Sequence, residues 1–189
     1  MLAIISPSKT QDFSQCDIDF YSQTRHLENS SELVSILKKK SQSQISKLMA
    51  LSEKLSKLNF DRFQKFKLPF NRDNAKQAIL AFKGDVYNGI DAPALSTDDL
   101  KFAQDSVRML SGLYGVIRPL DLIQPYRLEM GTKLSNSKGK DLYEYWGTEI
   151  SDVLNEDESE LIVNLSSNEY FKAVDKKILN AKVLDIVFK

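Results

Sequence analysis

The chain has 189 residues, with 26 Lys and Arg against 26 Asp and Glu, one His, one Cys and 42% hydrophobic side chains. That balance suits a soluble globular domain with its own core. One Cys and one His exclude a Cys/His zinc site and an internal disulfide, which argues against a secreted scaffold and fits a reducing cytoplasm. No apolar run approaches the ~18 residues of a membrane span, and the opening MLAIIS has no basic leader region.

Leu2–Ile5 is a short apolar run that stops at Ser6-Pro7 and predicts a buried strand followed by the polar loop Ser6–Thr10. From Ser31 to Leu58 the apolar residues recur at helical spacing, with a Ser-Gln-Ser-Gln break at 41–44 that separates two helices. Residues 37–72 carry ten basic and two acidic side chains. Such a segment either solvates a helix surface or gathers charge for a polyanion. Ala78–Phe82 reads as a strand that runs into the loop Lys83–Gly89. Ser96–Asp99 caps a helix carrying Leu100, Ala103, Val107 and Leu110. Asp141–Leu154 reads as one helix around the only Trp, Trp146. Leu161–Leu165, Glu169–Leu179 and Val183–Phe188 have the spacing of a βαβ unit, which implies a parallel pair. The fold class expected is mixed α/β in a single domain over residues 1–189. Its strands end in the loops Ser6–Thr10, Lys83–Tyr87 and Ser166–Asn168. In open parallel sheets ligands bind at that carboxyl end, provided the loops meet.

The sharpest local pattern is Ser111-Gly112-Leu113-Tyr114-Gly115 after a helix, flanked by Arg108 and Arg118. Two glycines three apart suit the turn of a helix–hairpin–helix over residues 98–125, which holds a nucleic-acid phosphate on successive backbone N–H groups. The same spacing also suits a plain helix C-cap and turn. Pro119 is tolerated in that reading only if the second helix starts there. Around Arg118–Asp121 and Tyr126–Glu129, Arg alternates with carboxylates and aromatics. This fits a phosphate or nucleobase site and equally a buried network that holds an irregular loop. Asn164, Ser166, Asn168 and Glu169 suit helix capping. Cys16 and His26 lack the context of a nucleophile and its base. Asp17-Ile18-Asp19 is too sparse to assign a metal. The residues call for neither a metal nor a cofactor.

Four blocks carry a resemblance: Ile5–Thr10 (ISPSKT), Phe82–Tyr87 (FKGDVY), Leu110–Thr132 (LSGLYGVIRPLDLIQPYRLEMGT) and Val163–Lys172 (VNLSSNEYFK). They resemble the bacterial YaaA family of peroxide-stress-resistance proteins along the whole chain. The resemblance implies a cytoplasmic protein with a mixed α/β fold, a basic cleft and a helix–hairpin–helix. It implies binding of double-stranded and structured DNA without sequence specificity, a tie to DNA repair, and low free iron under hydrogen peroxide. Carried onto this sequence, the DNA-binding set is Lys9, Arg108, Ser111, Gly112, Leu113, Tyr114, Gly115, Arg118, Arg127 and Lys172. Family members continue past Phe188-Lys189 with a strand and a basic helix, so this chain reads as truncated at its C-terminus.

An alternative occupant of the same cleft is a small nucleotide ligand or nucleobase, acted on by an enzyme. Its candidate residues are Lys9, Asp85, Arg118, Tyr126 and Glu169, with Tyr87, Arg127 and Asn168 beside them. Lys and Arg would clamp oxygens while a carboxyl group moved a proton.

Overall fold

The structure, a computed structural model, describes residues 1–16 and 18–187. Its strands are β1 (Leu2–Ile5), β2 (Thr10–Gln11), β3 (Lys76–Gln77), β4 (Phe82–Lys83), β5 (Val107–Ser111), β6 (Gly115–Ile117), β7 (Leu122–Ile123), β8 (Leu161–Asn164) and β9 (Lys182–Asp185). The α-helices are α1 (Leu27–Lys38), α2 (Gln42–Met49), α3 (Glu53–Lys65), α4 (Ala78–Ala81), α5 (Asp85–Ile90), α6 (Thr97–Ser106), α7 (Leu142–Trp146), α8 (Glu149–Glu156) and α9 (Asn168–Phe171).

Five strands form one mixed sheet in the order β6-β5-β1-β8-β9. β1 lies at its centre, parallel to β5 (Ile4 opposite Arg108) and to β8 (Ala3 opposite Val163). β9 is parallel to β8, as βαβ spacing requires, and only β6 runs antiparallel. Leu2, Ile4, Met109, Leu110, Val116, Ile117 and Ile162 are buried, so the central strands are apolar on both faces and are covered by helices. Ser41, Ser52, Ser96 and Asp141 each accept a backbone N–H at a helix start, and these caps set where α2, α3, α6 and α7 begin.

Several elements differ from the sequence pattern. Ala78–Ala81 is a helical turn with all four side chains buried, and the strand after it is only Phe82–Lys83. A short run that is apolar on every side has no period by which to choose strand or helix. The amides of Ala78 and Ile79 donate to the carbonyls of Asp121 and Pro119, which satisfies this buried backbone. α6 stops at Ser106, so Val107 and Leu110 belong to a strand.

The helix–hairpin–helix over residues 98–125 is corrected to a helix followed by a β-hairpin. Ser111 pairs with Gly115 across the turn, and a tight Arg118–Asp121 turn and β7 stand where a second helix was expected. β-Branched Val116 and Ile117 opposite Leu110 and Met109 favour the ladder, and Gly115 takes φ +67°. Gly147, at φ +48°, splits the expected helix 141–154 into α7 and α8. The helix expected over Glu169–Leu179 is only α9, followed by turns. Of the strand expected over Val183–Phe188, β9 covers Lys182–Asp185. Phe188 lies outside the described residues, as does Asp17 of the Asp-Ile-Asp pattern.

The one histidine sits at the start of α1 with its ring edge against Trp146, centroids 5.2 Å apart. Burial pushes the His26 pKa below its ordinary value, against the pull of Glu149, whose Oε2 lies 3.9 Å from Nδ1. A depressed folded value means that this contribution to stability is complete above the unfolded pKa of about 6.5 and fades as pH falls through the folded one. The imidazole resonance is therefore expected to titrate with a midpoint below 6.5. Melting temperature is expected to drop between pH 7 and pH 5, and a midpoint above 6.5 would contradict this packing.

Candidate functional site

The three polar loops do meet: those that follow β1 and β8 come from the carboxyl ends of the main sheet, and the one that follows β4 joins them from the separate β2-β4 pair. Ser6 is their hub. Its Oγ accepts the Ser167 amide at 2.9 Å, and its carbonyl accepts the Tyr87 hydroxyl at 2.8 Å. Thr10 pairs with Lys83, which draws the β1 loop against the Gly84 turn, and a Cβ on Gly84 would lie 3.4 Å from Ser8 Oγ.

Along this edge runs a line of alternating charge. Glu129 Oε1 accepts from Arg127 Nη2 at 3.0 Å and Nε at 3.2 Å, and it meets Lys9 Nζ at 3.1 Å. Glu169 Oε1 accepts the Gly131 amide at 2.9 Å, and its backbone carbonyl accepts the Tyr143 hydroxyl. Lys172 Nζ lies 4.8 Å from the centre of the Tyr143 ring, a cation–π contact. Lys9, Glu169 and Lys172 are exposed, and Arg127 and Glu129 half-buried. Pro7, Ser8, Lys9, Gln11, Tyr126–Glu129 and Tyr170 line one narrow cleft.

Behind it lies a layer of tyrosines. Tyr126 and Ser111 share a buried hydroxyl–hydroxyl bond of 2.7 Å, and the rings of Tyr114 and Tyr126 meet edge to face at 5.1 Å. Burial raises the pKa of Tyr87, Tyr114, Tyr126 and Tyr170, so these phenols stay protonated at neutral pH.

The site thus brings together Lys9, Arg127, Tyr126, Glu169 and Lys172, with Asp85 exposed on the first turn of α5 beside Gly84. Asn168 is exposed at the start of α9, and Asn164 is buried, donating to Asp185 and accepting from Ser166.

The rest of the expected set is elsewhere. Ser111, Gly112, Leu113, Tyr114 and Gly115 are buried, and Ser111 Oγ already accepts the amides of Leu113 and Tyr114. No phosphate reaches that turn. Arg108, the second residue of β5, is 4% exposed and directs its side chain to the amino end of the sheet, where it forms a fork-to-fork pair with Asp157, at 2.6 and 2.9 Å. Arg25 grips the same carboxylate from its other side. Arg118 follows β6 at that end as well. Its Nε, Nη2 and backbone N–H all donate to Asp121, which is wholly buried and also accepts from Ser22. Both guanidinium groups are thus engaged by carboxylates of the fold.

What the motifs missed lies next to the cleft. Arg62, near the end of α3, is half-buried, and burial together with the charge of Arg127 pushes its pKa down; the groove it lines reaches Pro125, the residue before Tyr126 of the cleft. Arg62, Lys65 and Lys67 line a groove with Asp73, Asn74, Gln124 and Pro125. The basic run over residues 37–72 is the signal in the sequence, but only the chain path shows which of its cations converge. Among the described residues no group of three or more His, Cys, Asp or Glu is placed to hold a metal ion, and no helix is long and apolar enough to cross a membrane.

The family profile described as "Peroxide stress protein YaaA" matches residues 1–189. Two relatives named as UPF0246 proteins are similar along the whole chain. One, from Albidiferax ferrireducens, is 53% identical over 194 residues; the other, from Idiomarina loihiensis, is 52% identical over 195. In both alignments all of this chain is covered, and 75% of the relative.

Proposed function

Because the chain belongs to the YaaA family of peroxide stress proteins, we propose that it binds double-stranded or distorted DNA without sequence specificity. In this reading DNA is protected and its repair supported during peroxide stress. The observation that carries it is the meeting of Lys9 and Arg127, from two distant blocks, at Glu129, with Lys172 exposed two residues beyond Tyr170 of the same cleft. The carboxylates between them are engaged by cations or a backbone amide, which leaves the outer cations facing solvent. Phosphates look alike in every sequence, so such contacts yield affinity without base preference. Cations seated on DNA also release the counterions condensed there. Iron held on the phosphates would leave with them, so less iron would sit on the DNA where peroxide is reduced to hydroxyl radical.

Fluorescence anisotropy of labelled duplex, bubble and junction DNA across a salt series tests this. The combined Lys9→Ala and Lys172→Ala variant is expected to weaken binding to all three similarly. It should also flatten the log–log salt dependence by about 1.8, at ~0.9 for each phosphate that is no longer neutralised. An unchanged slope would remove the edge from the interface.

The second reading is a nucleotide or nucleobase enzyme in the same cleft. It is favoured by the meeting of Lys9, Arg127, Tyr126 and Glu129 around one narrow opening. Arg118 drops out of its residue set because it stands at the other edge. Nucleotides supplied at about a hundredfold over Kd should stabilise the protein by about 2.7 kcal/mol if they bind there. Thermal shift separates the two readings.

A further inference from the structure

The groove beside the cleft gathers three cations that form no ion pair with the described residues. Arg62 hydrogen-bonds only to the neutral Asn59 Oδ1, and among the described residues no carboxylate lies within 4 Å of the charged groups of Arg62, Lys65 or Lys67. Elsewhere exposed lysines do find partners, as Lys57 does in Asp61 and Lys140 in Glu144. Asp73 is the single acidic residue that lines the groove, and at about 510 Å³ it has the size of a small-ligand site.

Its walls are fixed. Gln124, 4% exposed, accepts the Lys67 amide and donates to the Lys67 carbonyl and to Asn74 Oδ1. Lys38 Nζ donates to the Phe66 carbonyl and holds the end of α3 against α1. The groove does not stop there. At Asp73, Asn74 and Pro125 it meets a second cleft of about 610 Å³, lined by Arg72 and Lys76. Pro125 of the groove also runs directly into Tyr126 and Arg127 of the carboxyl-edge cleft, and the charge of Arg127 is felt at Arg62.

We infer that the groove over Arg62, Lys65 and Lys67 is the track for the phosphodiester backbone of one nucleic-acid strand, continuing the Lys9–Arg127 edge. The inference rests on the DNA-binding reading above and adds a surface made of other residues. No aromatic side chain lines the stretch from Arg62 to Pro125. Contact there is with phosphate, not stacked base, and a chain of phosphates spaced along a groove fits it better than a single ion.

The test uses the full chain and a labelled bubble duplex, read by anisotropy from low to moderate salt. Lys65 and Lys67 are exposed, so Lys65→Ala/Lys67→Ala leaves the core untouched, and circular dichroism checks the fold. The double variant is expected to lose at least tenfold in affinity and to flatten the log–log salt slope by about 1.4–1.8. Lys101→Ala, on α6 and paired with Asp98, serves as a remote control and should change little. Unlabelled nucleoside monophosphate, at the same total phosphate, should fail to displace the strand. If the parent protein binds no DNA, both the DNA reading and the groove fall. If it binds and the Lys9/Lys172 variant weakens while the Lys65/Lys67 variant does not, the groove alone is overturned. Full displacement by monophosphate would also overturn it, in favour of a mononucleotide site.

Discussion

Asp157→Ala is expected to destabilise the protein by about 3–5 kcal/mol, the range found when one partner of a buried ion pair is removed. Asp157 accepts four hydrogen bonds, two from Arg108 and two from Arg25. Arg108 is 4% exposed, so without the carboxylate its charge is stranded between β5 and the turn after α8. For a chain of this length the loss corresponds to roughly 6–20 °C in melting temperature, measurable by differential scanning fluorimetry. A drop of less than about 2 °C, below what even 1 kcal/mol produces, would mean that the two arginines find other acceptors. Acid behaviour follows from the same group. Burial alone would raise the Asp157 pKa, but the bonds from Arg108 and Arg25 outweigh it and hold the pKa below its ordinary 3.8. Its contribution is therefore complete above that value and is lost as pH falls through the lower, folded pKa. Asp157→Asn is expected to flatten the fall in stability below pH 4.

Gly112→Ala is expected to be nearly as damaging, by about 3 kcal/mol, and, if the DNA-binding proposal holds, to lower DNA affinity through the segment it displaces. A Cβ there would lie 2.5 Å from the Leu128 carbonyl oxygen and 3.0 Å from the Glu129 carbonyl carbon. Both are backbone atoms and cannot swing away as a side chain could. Overpacking of this kind costs about 1–3 kcal/mol. A shift of Gly112 also loosens its carbonyl from the Trp146 indole N–H, at 3.1 Å in a buried setting, for a further ~1–3 kcal/mol. The segment that must yield is the one that carries Arg127 and Glu129. Gly89→Ala is the matched control, since a Cβ there meets nothing within 4 Å. Equal melting temperatures for the two variants would contradict the close approach.

The contrast between Ile5 and Leu110 shows what can be read from the chain alone. The strands expected over Leu2–Ile5 and Leu161–Leu165 and the parallel partner expected over Val183–Phe188 follow from short apolar runs at crossover spacing; β1 and β8 match to within a residue, while β9 is Lys182–Asp185. Leu110–Gly115 misleads because glycines three apart serve a helix C-cap and a β-hairpin alike. The partner that decides is the β-branched Val116-Ile117, and its weight shows only once Met109 and Leu110 lie opposite. By residue type alone Arg108 and Arg118 suit phosphate. Their acceptor Asp157 is remote in sequence from Arg108, and the burial of Asp121 beside Arg118 is a tertiary fact. Lys9, Arg127 and Lys172 stand in motif blocks, and their meeting depends on a strand order that no local pattern encodes. Lys65 and Lys67 are visible as charge, but not as a groove, because its far wall is Gln124 and Pro125.

β1 lies in the middle of the sheet, yet its neighbours are β5 and β8, whose residues facing Ala3 are Val107 and Val163. At a synthesis rate of roughly 5–20 residues per second, the first of them leaves the ribosome about 5–20 s after β1, and the second later still. Through that interval Leu2, Ile4 and Ile5 have no sheet to join, and any edge they meet is another chain's. The centre of the sheet is thus made first and its flanks last, and crowded polysomes making this protein are where holdase chaperones should matter most.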